Sequence, residues 1–301
     1  MSLVATLICN PAQASLDHTA VEAARALLPS PGPAVWLDDG VAADIPFVSE
    51  AAGFDHIRAI SGRLREALSD LPADIVVQPQ ADRRKRLLLA DMDSTMIGQE
   101  CIDELAAYAG LKDHVAAITE RAMRGEIAFE PALRERVALL KGLPVSVIDD
   151  VLARHITLTP GGPELVRTMR ANGAHTCLVS GGFTLFTNRV AEMIGFQENR
   201  ANTLLVEDGK LTGLVAEPIV GREAKLDTLV DLLESFDLDD LDTIVVGDGA
   251  NDLGMIEKAG LGVAYHAKPK VAAAAGARID HCDLTALLFA QGYKRTEFVT
   301  A

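Results

Sequence analysis

Three short apolar runs, each ending abruptly in acidic or small polar residues, constrain this chain more than anything else in it. Residues 87–90 (Leu-Leu-Leu-Ala) run into Asp91-Met92-Asp93-Ser94-Thr95, and residues 176–179 run into Ser180-Gly181-Gly182. Residues 243–246 run into Gly247-Asp248-Gly249-Ala250-Asn251-Asp252. A continuous apolar run too short for a helix reads as a strand buried on both faces, the mark of a parallel sheet. Helical patterns lie between the runs, over residues 164–171, 185–194 and 223–236. This alternation implies a doubly wound α/β sheet, and such sheets bind ligands at the carboxyl ends of their strands. The polar residues therefore collect where chemistry is expected.

Residues 98–155 break the alternation with consecutive helical patterns at 100–109, 112–124, 131–141 and 145–153. Gly110, Gly125 and Gly142 stand where helix ends favour glycine, and Pro144 stands near a helix start. An insertion after the first strand of the sheet hangs over the ligand edge, so a helical cap, or lid, is expected at about 98–155. Residues 1–80 read as a separate module. Strand patterns at 4–9 and 75–78, helices at 16–28 and 54–68, and a hairpin of 34–37 with 43–49 give the order βαββαβ of a ferredoxin-like α+β sandwich. Pro46 is expected to confine its strand to an edge. Asp208-Gly209 predicts a tight hairpin appended to the main sheet. Residues 82–86 (Asp-Arg-Arg-Lys-Arg) read as a solvated linker, which leaves 81–301 as the α/β core.

The formal net charge of −15 argues against nucleic acid and anionic membranes as partners. It would also repel a phosphorylated metabolite, so any phosphate site must carry its own positive charge. No apolar run approaches the ~20 residues of a membrane helix. The first residues are apolar without a basic leader. Cys9, Cys101, Cys177 and Cys282 show no paired spacing, as expected of buried thiols in a reducing compartment. A cytoplasmic protein is expected.

A single aspartate at a strand end is usually a cap or a turn. Asp91 and Asp93, converging with Asp248 and Asp252, are harder to dismiss, because four acids at one edge repel each other unless a cation lies among them. Oxygen donors without histidine or thiolate point to Mg²⁺. Ser180 with the amides of Gly181 and Gly182 can donate to phosphate oxygens, although Ser-Gly-Gly alone is ordinary turn chemistry. Lys225, opening the helix before the last run, would by itself be read as solvated.

In this order, Asp91/Asp93/Thr95, Ser180, Lys225 and Asp248/Asp252 resemble the motifs of the haloacid dehalogenase-like (HAD) hydrolase superfamily, over residue 87 to the C-terminus. The likeness narrows to its phosphoserine phosphatase family through Glu100, Asp103-Glu104, Met123-Arg124-Gly125, Phe129-Glu130, Leu133-Arg134-Glu135-Arg136-Val137, Ala201-Asn202 and Asn251. The N-terminal module is similar to ACT-type regulatory domains. That resemblance implies O-phosphoserine as substrate and Asp91 as a nucleophile that becomes phosphorylated. It implies Asp93 as acid and base, and Lys225 and Ser180 as a phosphate cradle with Gly181 and Gly182. Mg²⁺ would be held by Asp91, the main-chain carbonyl of Asp93 and Asp248, with Asn251 and Asp252 ordering the metal loop. Glu100 would bind the substrate ammonium and Arg136 its carboxylate, under Met123 and Phe129. Another small phosphorylated metabolite such as phosphohomoserine stays open as the substrate. So does a phospho-accepting signalling domain, which would need neither Asp93 nor a cap, or a ligand sensor built on residues 1–80. Modules of that kind bind ligands, form homodimers or serve only as structure, and the sequence leaves these alternatives open.

Overall fold

The computed structural model describes the chain except residues 52, 125 and 301 and the side chain of residue 123. The N-terminal module runs β1 (Ser2–Cys9), α1 (His18–Ala26), β2 (Val35–Asp38), β3 (Ala42–Val48), α2 (Phe54–Ala67) and β4 (Ala73–Pro79). Its antiparallel sheet has the order β2-β3-β1-β4. Val21, Ile60 and Leu64 of the helices pack on Leu3, Ala5, Leu7 and Ile45. β3 is therefore an interior strand, contrary to the expectation from Pro46. β2 begins opposite Asp44, so it stops short of the proline. The Pro46 carbonyl accepts from the Gly32 amide at 2.7 Å, which turns the ring nitrogen toward a loop that asks for no ladder bond.

The core begins with β5 (Leu87–Ala90), then β6 (His175–Phe183), β7 (Glu198–Asn202), β10 (Thr243–Gly247), β11 (Leu261–Tyr265) and β12 (Ala277–Ile279). These form one parallel sheet in the order β12-β11-β10-β5-β6-β7. The chain travels outward from β5 to β7 and returns on the other side at β10, so the direction of winding switches between β5 and β10. α7 (Gly162–Ala171), α8 (Thr184–Ile194) and the C-terminal α12 (Ala286–Ala290) cover one face. α9 (Arg222–Phe236), α10 (Leu253–Lys258) and α11 (Pro269–Ala274) cover the other. Leu88 and Ala90 belong to the first layer, Leu87 and Leu89 to the second, which is why the β5 run is apolar at every position.

Between β5 and α7 lie four cap helices, α3 (Cys101–Tyr108), α4 (Lys112–Met123), α5 (Phe129–Leu139) and α6 (Ser146–Arg154). The hairpin of β8 (Leu204–Glu207) and β9 (Lys210–Val215) turns at Asp208 (φ 49°) and Gly209 (φ 73°), the left-handed pair of a tight two-residue turn. It is not appended to the main sheet, as the sequence suggests. It forms its own ladder and bonds the cap, Gly142 N–H to the Leu211 carbonyl and Leu211 N–H to Leu143, each at 2.8 Å, and Val145 N–H to Gly209 at 2.9 Å. Residues 82–86 also differ from the solvated linker expected. Lys85 is buried and donates to the carbonyls of Asp82 and Leu241, while Arg83 pairs with the buried Asp44 at 2.5 Å. Among the described residues no helix is long and apolar enough to cross a membrane.

Candidate active site

Asp91 stands immediately after β5, next to the switch in winding, so its position follows from the sheet order. The turn Met92–Met96 then coils tightly, with Ser94 at a left-handed φ of 56°. A non-glycine residue in that region costs energy and persists only where surroundings enforce it. Here the Ser94 hydroxyl donates to Glu100 Oε1 at 2.7 Å, tying the turn to the start of the cap.

Asp91 is buried, and its Oδ1 accepts from the Met92 amide at 2.7 Å and from Lys225 Nζ at 2.8 Å. Both partners use the same oxygen, which leaves Oδ2 uncommitted among the described residues. Lys225 is fully buried and divides its ammonium between Asp91 and Asp252, the latter at 2.7 Å. Burial pulls the Lys225 pKa down, but Asp252 and Asp91 outweigh it and hold the ammonium charged. Burial pushes the Asp91 carboxyl well up, reinforced by Asp252 and only partly offset by Lys225. The two directions agree: one cation between two buried carboxylates leaves negative charge in excess.

Asp93 is raised to about 7 by burial, then by Glu100, while the Cys101 amide at 3.3 Å works in the other direction. Asp248 is raised to about 6, again by burial first, then by Asp252 and Glu100, with Lys268 and Lys225 pulling it back. Carboxylate oxygens of Asp91, Asp248 and Asp252 lie within 4.8 Å of one another. An all-oxygen, negatively overcharged cluster of this kind suits a hard divalent cation. Asp252 is the most committed of the three, since Oδ1 meets Lys225 and Oδ2 accepts from the Gly249 amide at 2.9 Å. A Cβ on Gly247 would sit 2.5 Å from that carboxylate, so the loop needs a glycine there.

A cavity of about 230 Å³ opens above these groups. It is lined by Asp91, Asp93, Ser180, Gly181, Gly182, Asp248 and Asn251 from the core, and by Glu100, Phe129 and Arg136 from the cap. Lys225 and Asp252 stand behind Asp91 and do not line it. Ser180 lies inside β6, which extends through Phe183, and its hydroxyl accepts the Gly182 amide at 2.9 Å. That amide is thus already used, unlike the free donor expected from the sequence. Phe129 reaches from the cap over the core, 3.5 Å from where a Cβ on Gly181 would stand. Arg136 is half-buried and bonds Thr119 at 3.4 Å; burial lowers its pKa, and Asp103 and Glu100 oppose the shift. The side chain of Met123 lies outside the described residues. Leu133, part of the cap motif, also lines the cavity, as do Ile102 and Lys268, which are not singled out by the sequence reading.

The haloacid dehalogenase-like hydrolase family model matches residues 88–257, more than half the chain. This chain belongs to the HAD-like hydrolases. The phosphoserine phosphatase of Archaeoglobus fulgidus is 47% identical over 208 residues, covering 68% of this chain and 60% of that protein. The chain thus spans about three fifths of that relative's length. A HAD-family hydrolase from Salmonella enterica serovar Typhi superposes with a TM-score of 0.85 at 29% identity, covering 98% of each chain, so the whole architecture is shared within the family. The phospho-aspartyl intermediate analogue of a phosphoserine phosphatase superposes with a TM-score of 0.63 at 40% identity, covering 68% of this chain and 98% of that one. The HAD assignment accounts for the order of the motifs, from the Asp91 turn through Ser180 and Lys225 to the Asp248 loop.

Proposed function

We propose that this chain hydrolyses O-phosphoserine to serine and inorganic phosphate, with magnesium, through an aspartyl-phosphate on Asp91. The observation that carries the reading is one small cavity with two chemically distinct ends: Asp91, Asp93 and Ser180 at its base, Glu100 and Arg136 on its cap side. An acid and a guanidinium on the cap match the ammonium and carboxylate of an amino acid, and the base matches its phosphate. The likeness to phosphoserine phosphatases supports the same substrate, and the phospho-aspartyl analogue in that family supports the covalent route.

Magnesium, when bound, would be held by Asp91, the main-chain carbonyl of Asp93 and Asp248, where it supplies charge neutralisation for the phosphoryl oxygens. The rest falls to the chain. Asp91 Oδ2 attacks phosphorus while Oδ1 is fixed by Lys225 and the Met92 amide. The ester P–O bond breaks as Asp93 delivers a proton to the departing serine oxygen, a role suited to a carboxyl with a pKa of about 7. Asp93, now ionised, takes a proton from water as that water attacks phosphorus and frees Asp91. Acid–base help supplies about 10²–10⁴ of the acceleration. Since phosphate monoesters need up to ~10²¹, most of it comes from in-line positioning and fixed charge around the phosphoryl group.

Phosphate release from phosphoserine, phosphothreonine, phosphohomoserine, a sugar phosphate and an aryl phosphate, with magnesium or with chelator, tests the reading. The highest kcat/KM should belong to phosphoserine, vanish with chelator, and vanish in Asp91→Asn. Preference for another phosphate ester, or full activity in Asp91→Asn, would overturn it.

A further inference from the structure

The cavity is lined by four carboxylates, Asp91, Asp93, Glu100 and Asp248, against two cationic side chains, Arg136 and Lys268. Arg136 sits on the cap, facing Glu100 and Asp103. Lys225, the buried ammonium, is already divided between Asp91 and Asp252. An anionic phosphate ester approaching a chain of net charge −15 therefore meets, among the described residues, one cation on the core side of the opening, and that cation is Lys268.

Lys268 is exposed, but its main chain is anchored at the rim of the cavity. It lies three residues beyond the end of β11, the strand beside β10, so it leaves the same sheet edge as Asp91 and Asp248. Its amide donates to the Asp248 carbonyl at 3.3 Å, and its own carbonyl accepts from Val271 and Ala272 at 2.9 and 3.0 Å. Pro269 follows and restricts residue 268 to extended backbone, as found at φ −59° and ψ 147°. The main chain is fixed on both sides, and the side chain projects from that fixed base beside the Asp248 loop, where Asn251 also lines the cavity. Lys268 thus enters the cavity from the core beside Asp248, whereas Glu100 and Arg136 enter it from the cap.

We propose that Lys268 is a substrate-positioning residue that binds the phosphoryl group from the core rim. It holds the incoming ester, and then the departing inorganic phosphate, without taking part in bond breaking. The proposal rests on the phosphatase reading but not on the identity of the amino acid, because its ligand is the phosphate common to every candidate ester.

The test measures competitive inhibition by inorganic phosphate and by free serine, in the full chain with magnesium, for wild type, Lys268→Met and Lys268→Arg. The methionine keeps the apolar stem and removes the charge. Ki for phosphate should rise about fivefold in Lys268→Met, as expected for one partly solvated charge contact. KM should rise by a similar factor for phosphoserine and for an aryl phosphate alike. Ki for serine should stay at the wild-type value, and Lys268→Arg should restore phosphate binding. An unchanged Ki for phosphate overturns the proposal. So does a fall confined to kcat, which would mean that Lys268 merely shapes the Asp248 loop, or a loss that falls on serine instead. If phosphoserine proves a poor substrate, the inhibition by phosphate is read against whichever ester is turned over, so the two readings fail separately.

Discussion

The two oxygens of Asp91 stand in different surroundings, and the proposed chemistry follows from that difference. Oδ1 receives the Lys225 ammonium and the Met92 amide, while Oδ2 has no hydrogen-bond partner among the described residues. Asp93 differs from Asp91 in having no lysine bonded to it among the described residues and in being raised to about 7. Two carboxylates in separate surroundings, one held against an ammonium, one ready to give a proton, are what a double displacement needs. Asp93→Asn should therefore cut kcat on phosphoserine by about 10²–10⁴. An aryl phosphate, whose leaving group needs little proton help, should still phosphorylate this variant. Intact-mass measurement should then find a phosphoryl adduct accumulating, because a carboxamide cannot activate water; absence of an adduct would assign Asp93 elsewhere. Arg136→Ala should raise KM for phosphoserine about tenfold or more, the worth of a charged hydrogen bond, and leave the aryl phosphate nearly untouched. Most of this cavity is legible in the sequence, because strand-end acids stand out against apolar runs. Lys268 is not, since the Gly262-interrupted β11 run is easily passed over and no motif surrounds the lysine.

Helices and hairpins show a different balance. The cap helices are readable from their apolar periodicity and terminal glycines, and their observed ends fall within two residues of the expected ones. The docking of the β8–β9 hairpin on the cap is not readable, because it is made by backbone groups of residues 142–145 and 209–211 that carry no side-chain signature. β7 (Glu-Asn-Arg-Ala-Asn) escapes for a related reason: an edge strand need not be apolar. Gly213 is where the hairpin's docking leaves a trace. Its φ is +81°, and an added Cβ would stand 2.9 Å from Lys141 Cβ and 3.3 Å from the Ala138 carbonyl on α5. Gly213→Ala should lower stability by about 1–3 kcal/mol through that overpacking. It should also raise KM for phosphoserine, since α5 carries Phe129 and Arg136. Gly62→Ala, in the middle of α2 with nothing within 4 Å, provides the contrast and should stabilise by about 0.4–1 kcal/mol. Equal melting temperatures for the two variants would mean that the hairpin does not bear on the cap.

At the scale of the molecule, the first 80 residues are bound into the core and not tethered to it. Leu3, Ala5 and Leu7 of β1 face the module's own helices, while Ile8, with Ala42 and Val76, joins Leu284, Leu287 and Tyr293 in the principal core. The β1 run is apolar at both parities because both faces of the sheet are covered. Asp74, almost fully buried, accepts from the amides of Asp280, His281 and Cys282 at 2.8, 3.2 and 2.9 Å. Gln78 adds a bond to the Ala290 carbonyl at 2.6 Å. An interface with shared apolar packing and buried hydrogen bonds should unfold together with the domains it joins. The chain offers a direct reporter, because its single tryptophan, Trp36, lies on β2 in the module while the active site lies in the core. Trp36 fluorescence and phosphatase activity should be lost at the same urea concentration in the wild type. Asp74→Ala strips the acceptor from three buried amides, at about 1–3 kcal/mol for each one left unsatisfied, with partial relaxation reducing the sum. The two transitions should then part, with the tryptophan signal moving to lower urea than activity. Coincident transitions in the variant would show that the apolar contacts alone couple the module to the core, and separate transitions in the wild type would show that the module folds on its own.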